Sequence, residues 1–77
     1  MGLGEFQAAV ADFDSAIELV GSDPDMILQR GLAHTALGHR DAALADFDEV
    51  LRIDPTSTIA QANRDRLQGD GTLPPSR

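Results

Sequence analysis

The sequence contains no cysteine and no lysine. Without cysteine, neither a disulfide framework nor a thiolate metal site can brace a small fold, and a reducing compartment is permitted. Without lysine, the 6 basic residues are all arginine and face 13 acidic ones, for a formal net charge of −7. Unspecific binding to nucleic acid or anionic lipid rests on clustered basic side chains, so neither partner is expected. No apolar run approaches the roughly 20 residues of a membrane span. The N-terminus also lacks the basic region and apolar core of a secretory leader. The expectation is a soluble cytoplasmic piece with no membrane partner. A chain of 77 residues buries only about 60% of its unfolded surface, so every apolar face must contribute to stability.

What is present is a repeat. Gly4 pairs with Gly38, Ala9 with Ala43, and Ala11-Asp12-Phe13-Asp14 recurs unchanged as Ala45-Asp46-Phe47-Asp48, all at one constant offset. A fixed period of about 34 residues is the signature of stacked helical units, none of which can bury its own apolar face without a neighbour.

The spacing of apolar residues predicts four helices and no strand. From about Gly4 to Val20, Phe6, Ala9, Val10, Phe13, Ala16, Ile17 and Val20 recur at intervals of three and four, the pattern of an amphipathic helix. Gly21 can close it, Asp23 can cap the next helix, and Pro24 suits that helix's first position. The second, about Pro24 to Leu37, carries apolar residues around most of its circumference and is therefore expected to be covered on more than one side. Gly31 in its middle costs about 0.5–1 kcal/mol relative to Ala, which implies close approach of a neighbouring helix backbone. A third helix from Asp41 presents Ala43, Leu44, Phe47, Val50 and Leu51, and Asp48 and Arg52 are placed for an ion pair. Thr56 or Ser57 can cap a fourth, from about Thr58 to Gln68, whose polar composition suits the end of a stack. A module over residues 1–68 and a disordered tail over 69–77, rich in Gly and Pro, complete the division.

These residues carry a resemblance. The spacing Gly31, Ala33, Gly38, Ala43, Phe47, Asp54-Pro55 resembles the tetratricopeptide repeat, a unit of about 34 residues folded as two antiparallel helices. The resemblance covers about residues 3–67 and implies an all-α fold, antiparallel helix-turn-helix repeats stacked as a short right-handed α-solenoid of four helices. It departs at Ile27, where the family usually has tryptophan, at His34 and Arg40 in place of aromatics, at Val50 in place of a small residue, and at Gly21 in place of the turn proline. Looser packing than in a consensus repeat is expected. The function it implies is a scaffold binding a protein or peptide along a concave face. That face would hold Asp25, Leu28, Gln29, Leu32, Thr35 and Ala36, continued by Ile59, Ala62, Asn63 and Arg66. One subset of the family clamps acidic C-terminal tails with lysines, asparagines and an arginine. Asp25, Leu28 and Leu32 stand where that clamp needs cations or amides, so this activity is set aside. Leu28 and Leu32 would favour an apolar anchor from a ligand, or else pack against another helix of the stack.

Enzyme chemistry finds no support. Residues two apart on a helix point about 200° away from each other, so Asp12 with Asp14, and Asp46 with Asp48, are expected to be surface charge rather than chelating pairs. His34 and His39 are five apart, are expected to diverge, and have no further ligand at metal spacing. No nucleophile elbow or phosphate-binding glycine loop occurs, and no cofactor is implied. Two functions stay open: a peptide-binding module, and a structural element that self-assembles or belongs to a longer array. For the second, Phe6, Val10, Phe13 and Ile17 form too broad a stripe for one neighbour to cover, favouring a homo-oligomer through the first helix. Repulsion among Glu5, Asp12, Asp14 and Glu18 would oppose it.

Overall fold

The computed structural model describes residues 3–69. The expected tail from residue 70 onward lies outside them, and Gly69 closes the last helix. Four helices follow in order, α1 (Leu3–Val20), α2 (Pro24–Ala36), α3 (Arg40–Ile53) and α4 (Thr58–Gly69), with no strand among the described residues.

The connections are built from the residues expected of them. Gly21 takes φ 95° after the last turn of α1 and donates to the Ile17 carbonyl at 2.8 Å, the left-handed closure that glycine adopts without a Cβ penalty. The Asp23 carboxylate then accepts from the Asp25 amide at 2.8 Å, and Pro24 opens α2. Between α2 and α3, Gly38 has φ 81°. Helix α3 begins at Arg40, just ahead of the expected start, after a His39 whose side chain makes no cap. Of the two candidate caps for α4, Ser57 serves: its hydroxyl accepts from the Ala60 amide at 3.3 Å, while Thr56 bonds back to Asp54.

Helix α2 packs against both α1 and α3, and α4 packs against α3. The apolar residues around α2 therefore have cover on two sides, as their distribution requires. The core is Ile27, Leu28, Ala43, Phe47, Val50 and Ala60, with Ile17, Leu32, Leu51 and Leu67 packed on it. Phe47, with no exposed surface, is its centre. Gly31 does mark a close approach, though to side chains rather than backbone. A Cβ added there would lie 2.8 Å from Phe47 Cε1 and 3.1 Å from Asp46 Cβ.

None of residues 4–20 of α1 is fully buried; Phe6, Ala9, Val10, Phe13, Ala16 and Ile17 are half-buried, while Val20 at the end of the stripe is exposed. One neighbouring helix covers part of that stripe only.

Removing the ring should be costly. Phe47→Ala is expected to destabilise by about 3–5 kcal/mol, and Gly31→Val by about 1–3 kcal/mol through overpacking against the same ring. Urea unfolding checks both; midpoints within error of the parent would remove Phe47 from the centre of the core.

Candidate functional site

The repeat sets up two comparable surfaces. On α3, the face carrying Ala43 and Phe47 is covered by α2, with Gly31 over the ring. On α1, the matching face carries Ala9 and Phe13 and is covered by no described helix other than α2 at its side. A groove of about 300 Å³ opens there, lined by Phe6, Ala9 and Phe13 from α1 and by Gln29, Leu32 and Ala33 from α2. Its walls are mainly apolar, and Gln29 is the one polar residue among those lining it.

An arginine fork ties the walls together. Arg30 Nε and Nη2 donate to Asp46 Oδ2 and Oδ1 at 2.9 and 2.7 Å, a bidentate pair, and Nη1 donates to Asp14 at 2.6 Å. One side chain of α2 thus grips α3 on one side and α1 on the other. The bond to Asp46 is the largest of the influences that raise the guanidinium pKa above its ordinary value; partial burial opposes it and Asp14 adds to it. The Asp46 side chain is 7% exposed. Asp46 is therefore not the surface charge expected of it, because the turn at 37–39 brings it under Arg30 and out of water. Asp12 and Asp14 are exposed as expected.

The same geometry recurs one period later. Arg64 donates to Asp48 at 3.3 Å, across the same separation in sequence as Arg30 and Asp14. Asp48 is thereby engaged, and Arg52 pairs with Glu49 instead. That pairing holds the Glu49 carboxyl below its usual range through the Arg52 hydrogen bond.

The remaining candidates divide by burial. Leu28 is 8% exposed and belongs to the core. Asn63 is equally buried; its amide donates to the Ile59 carbonyl and accepts from Arg66. The Thr35 hydroxyl donates to the Gly31 carbonyl at 2.9 Å. Asp25, Gln29 and Arg66 are exposed, and Leu32 is half-buried. Of the α1 residues, Phe6 and Phe13 line the groove, Ile17 packs on the core, and Val10 is half-buried. The two histidines do not diverge: His34 and His39 Nδ1 atoms lie 3.3 Å apart, because the chain reverses between them and His39 N donates to the His34 carbonyl. One ring must be the Nδ1-protonated tautomer and the other the acceptor. No group of three or more His, Cys, Asp or Glu among the described residues could hold a metal ion.

Comparison with known proteins now decides the family. Residues 24–57 match the model described as tetratricopeptide repeat. This stretch is a tetratricopeptide repeat. Bovine (Bos taurus) peptidyl-prolyl cis-trans isomerase FKBP4 is 37% identical over 60 residues, 78% of this chain and 13% of that protein. The tetratricopeptide repeat and J domain-containing co-chaperone DNJ1 of Cryptococcus neoformans is 33% identical over 64 residues, 83% of this chain and 12% of its own length. Human (Homo sapiens) mitochondrial import receptor subunit TOM70 is 36% identical over 53 residues, 69% of this chain and 9% of the receptor. The chain therefore spans only a small part of each of these relatives. No solved structure matches. No described helix is long and apolar enough to cross a membrane. The repeat belongs to a family of protein-interaction modules.

Arg30→Met should leave the Asp46 carboxylate buried without a partner, at a cost of about 3 kcal/mol, the low end of the range for a broken buried pair. Arg30→Met combined with Asp46→Leu should recover most of that loss. Urea unfolding of both variants is the check, and a double variant no more stable than the single one would mean that the fork carries no unpaired-charge penalty.

Proposed function

We propose that this chain is a non-catalytic protein-docking module of the cytoplasm and that the groove between α1 and α2 is its binding face. One observation carries this reading: Phe6 and Phe13 stay half-exposed on a face whose counterpart one period later is covered by a helix. Leu32, assigned to the concave face by resemblance, lines the same groove beside Gln29, so it remains available as an apolar anchor whereas Leu28 does not. Asp25, Thr35 and Arg66 would form the polar margin, and Asn63 would act by orienting Arg66. The names of two relatives, a co-chaperone and an import receptor subunit, describe partner-binding roles and favour the same class of function.

Acidic C-terminal peptides are not the expected ligand, because Asp25 and Leu28 leave Arg66 as the one cation of the face. They should bind no tighter than about millimolar. Calorimetry in the low micromolar range, abolished by Arg66→Ala, would reject this assignment. Apolar helical peptides should instead bind the parent and lose affinity on Leu32→Glu; binding that ignores this change would remove the groove from the function.

A second reading is self-association through Phe6, Val10, Phe13 and Ile17. It is favoured by the 66% exposure of Val20, which continues the apolar stripe of α1. Light scattering at tens of micromolar checks it: a dimer mass that reverts on Phe6→Glu is expected if the face pairs with itself.

A further inference from the structure

The turn between α2 and α3 brings two imidazole rings into contact, and neither the core nor the docking face uses them. Backbone geometry fixes their spacing. His39 N donates to the His34 carbonyl at 2.8 Å and Gly38 N to the Thr35 carbonyl at 3.1 Å, while Gly38 takes φ 81° and lets the chain reverse. On the far side Ala43 N donates to the His39 carbonyl at 2.9 Å, so one histidine is anchored to α2 and the other to α3. The two Nδ1 atoms end 3.3 Å apart. His34 is half-buried and His39 exposed, so the pair is open to solvent. Two imidazole nitrogens bound at about 2.0–2.1 Å to one tetrahedral ion stand about 3.3–3.4 Å from each other. That separation is already present here.

We propose that His34 and His39 form a two-nitrogen site for a divalent transition-metal ion of the kind imidazole prefers, copper(II) before zinc(II), with water in the remaining positions. The ion replaces the hydrogen bond that joins the rings: each ring carries its proton on Nε2, and both Nδ1 lone pairs go to the metal. Ring centroids 5.5 Å apart show the rings meeting nearly end to end, so a small turn of the exposed His39 side chain brings the two lone pairs onto one ion. Among the described residues neither ring is hydrogen-bonded to a carboxylate, and no third His, Cys, Asp or Glu joins the pair. The site is therefore an exchangeable one rather than a closed structural one. Magnesium, which requires oxygen ligands, is not accommodated. The net charge of −7 attracts a dication, against the local repulsion of Arg40 beside His39 in the sequence.

Bound there, the ion ties the last turn of α2 to the start of α3, a helix that the His39 side chain does not cap. It stabilises the folded repeat in proportion to its occupancy, since the unfolded chain does not hold the two rings together.

The test uses the chain without any affinity tag. Calorimetric titration should show one copper(II) ion per chain, with zinc(II) weaker by at least about tenfold and magnesium not saturating. His34→Gln or His39→Gln should each weaken copper by at least about tenfold. Electron paramagnetic resonance of the copper complex should show coupling to two imidazole nitrogens in the parent and to one in either variant. Zinc should raise the urea midpoint of the parent and leave that of His39→Gln, a substitution at an exposed position, where it was. Copper affinity and nitrogen coupling unchanged by both substitutions would place the ion on the acidic surface, as an adventitious ion only, and overturn the proposal. So would a parent spectrum with a single coupled nitrogen, or magnesium raising the urea midpoint as far as zinc does.

Discussion

The ring of Phe47 occupies the space that a side chain at residue 31 would need. Everything else in the packing follows from that exclusion. Because Gly31 has no Cβ, α2 can settle onto α3 until ring carbons stand where a methyl would otherwise be. At that separation Ile27, Ala43 and Val50 are sealed from water. A wider spacing would open cavities whose cost rises with their volume, and a small chain has little stability with which to absorb them.

The close approach has an electrostatic consequence. Asp46 precedes Phe47 and is carried under α2 with it, to a place where a bare carboxylate would cost several kcal/mol of desolvation. Arg30, which precedes Gly31, stands opposite and supplies a planar fork that satisfies both oxygens while its third arm holds Asp14. The pair Arg30-Gly31 and the pair Asp46-Phe47 thus form one unit: the small residue and the ring set the distance, and the charges meet because the distance is short. Arginine suits this place because its geometry is bidentate and its charge is permanent, which an ammonium group would not reproduce.

The apolar half of that unit was legible in the sequence, and the polar half was not. Phe47, Ala43 and Gly31 lie on helical periodicities and at the positions where a tetratricopeptide repeat has its large and small contacts, so both the helices and the core could be read. The turns at Gly21 and Ser57 were readable because a missing Cβ and a side-chain oxygen are local properties. Asp46 was misjudged because its sequence neighbours make it look like half of a solvated Asp-x-Asp pair. Its real partner, Arg30, stands on another helix, beyond the reach of any intrahelical spacing rule. The histidine contact was missed for a similar reason, since side chains at that spacing diverge on a continuous helix but meet across a reversing turn. The one signal that pointed to the fork was Arg30 itself, a long cation beside the mid-helix glycine, which the apolar pattern passed over. Once the ion pairs are known, the recurrence of Arg30 and Asp14 as Arg64 and Asp48 shows that the period is written in charge as well as in hydrophobicity.

A repeat stack has the same chemistry in its interior and at its edges, and what differs is whether the next helix is present. On the α1 edge the half-covered stripe is apolar surface of the kind that α2 covers on α3, so under the proposed function the feature that adds least to stability would also be the binding face. Docking and folding then become one equilibrium. A ligand that binds only the folded chain adds RT ln(1 + [L]/Kd), about 2.7 kcal/mol at a hundredfold excess over Kd. That is comparable to the loss expected from a single overpacked or unpaired residue in the core. A helix seated on Phe13 would therefore do for α1 part of what α2 does for α3: bury a ring and turn a marginal surface into an interior.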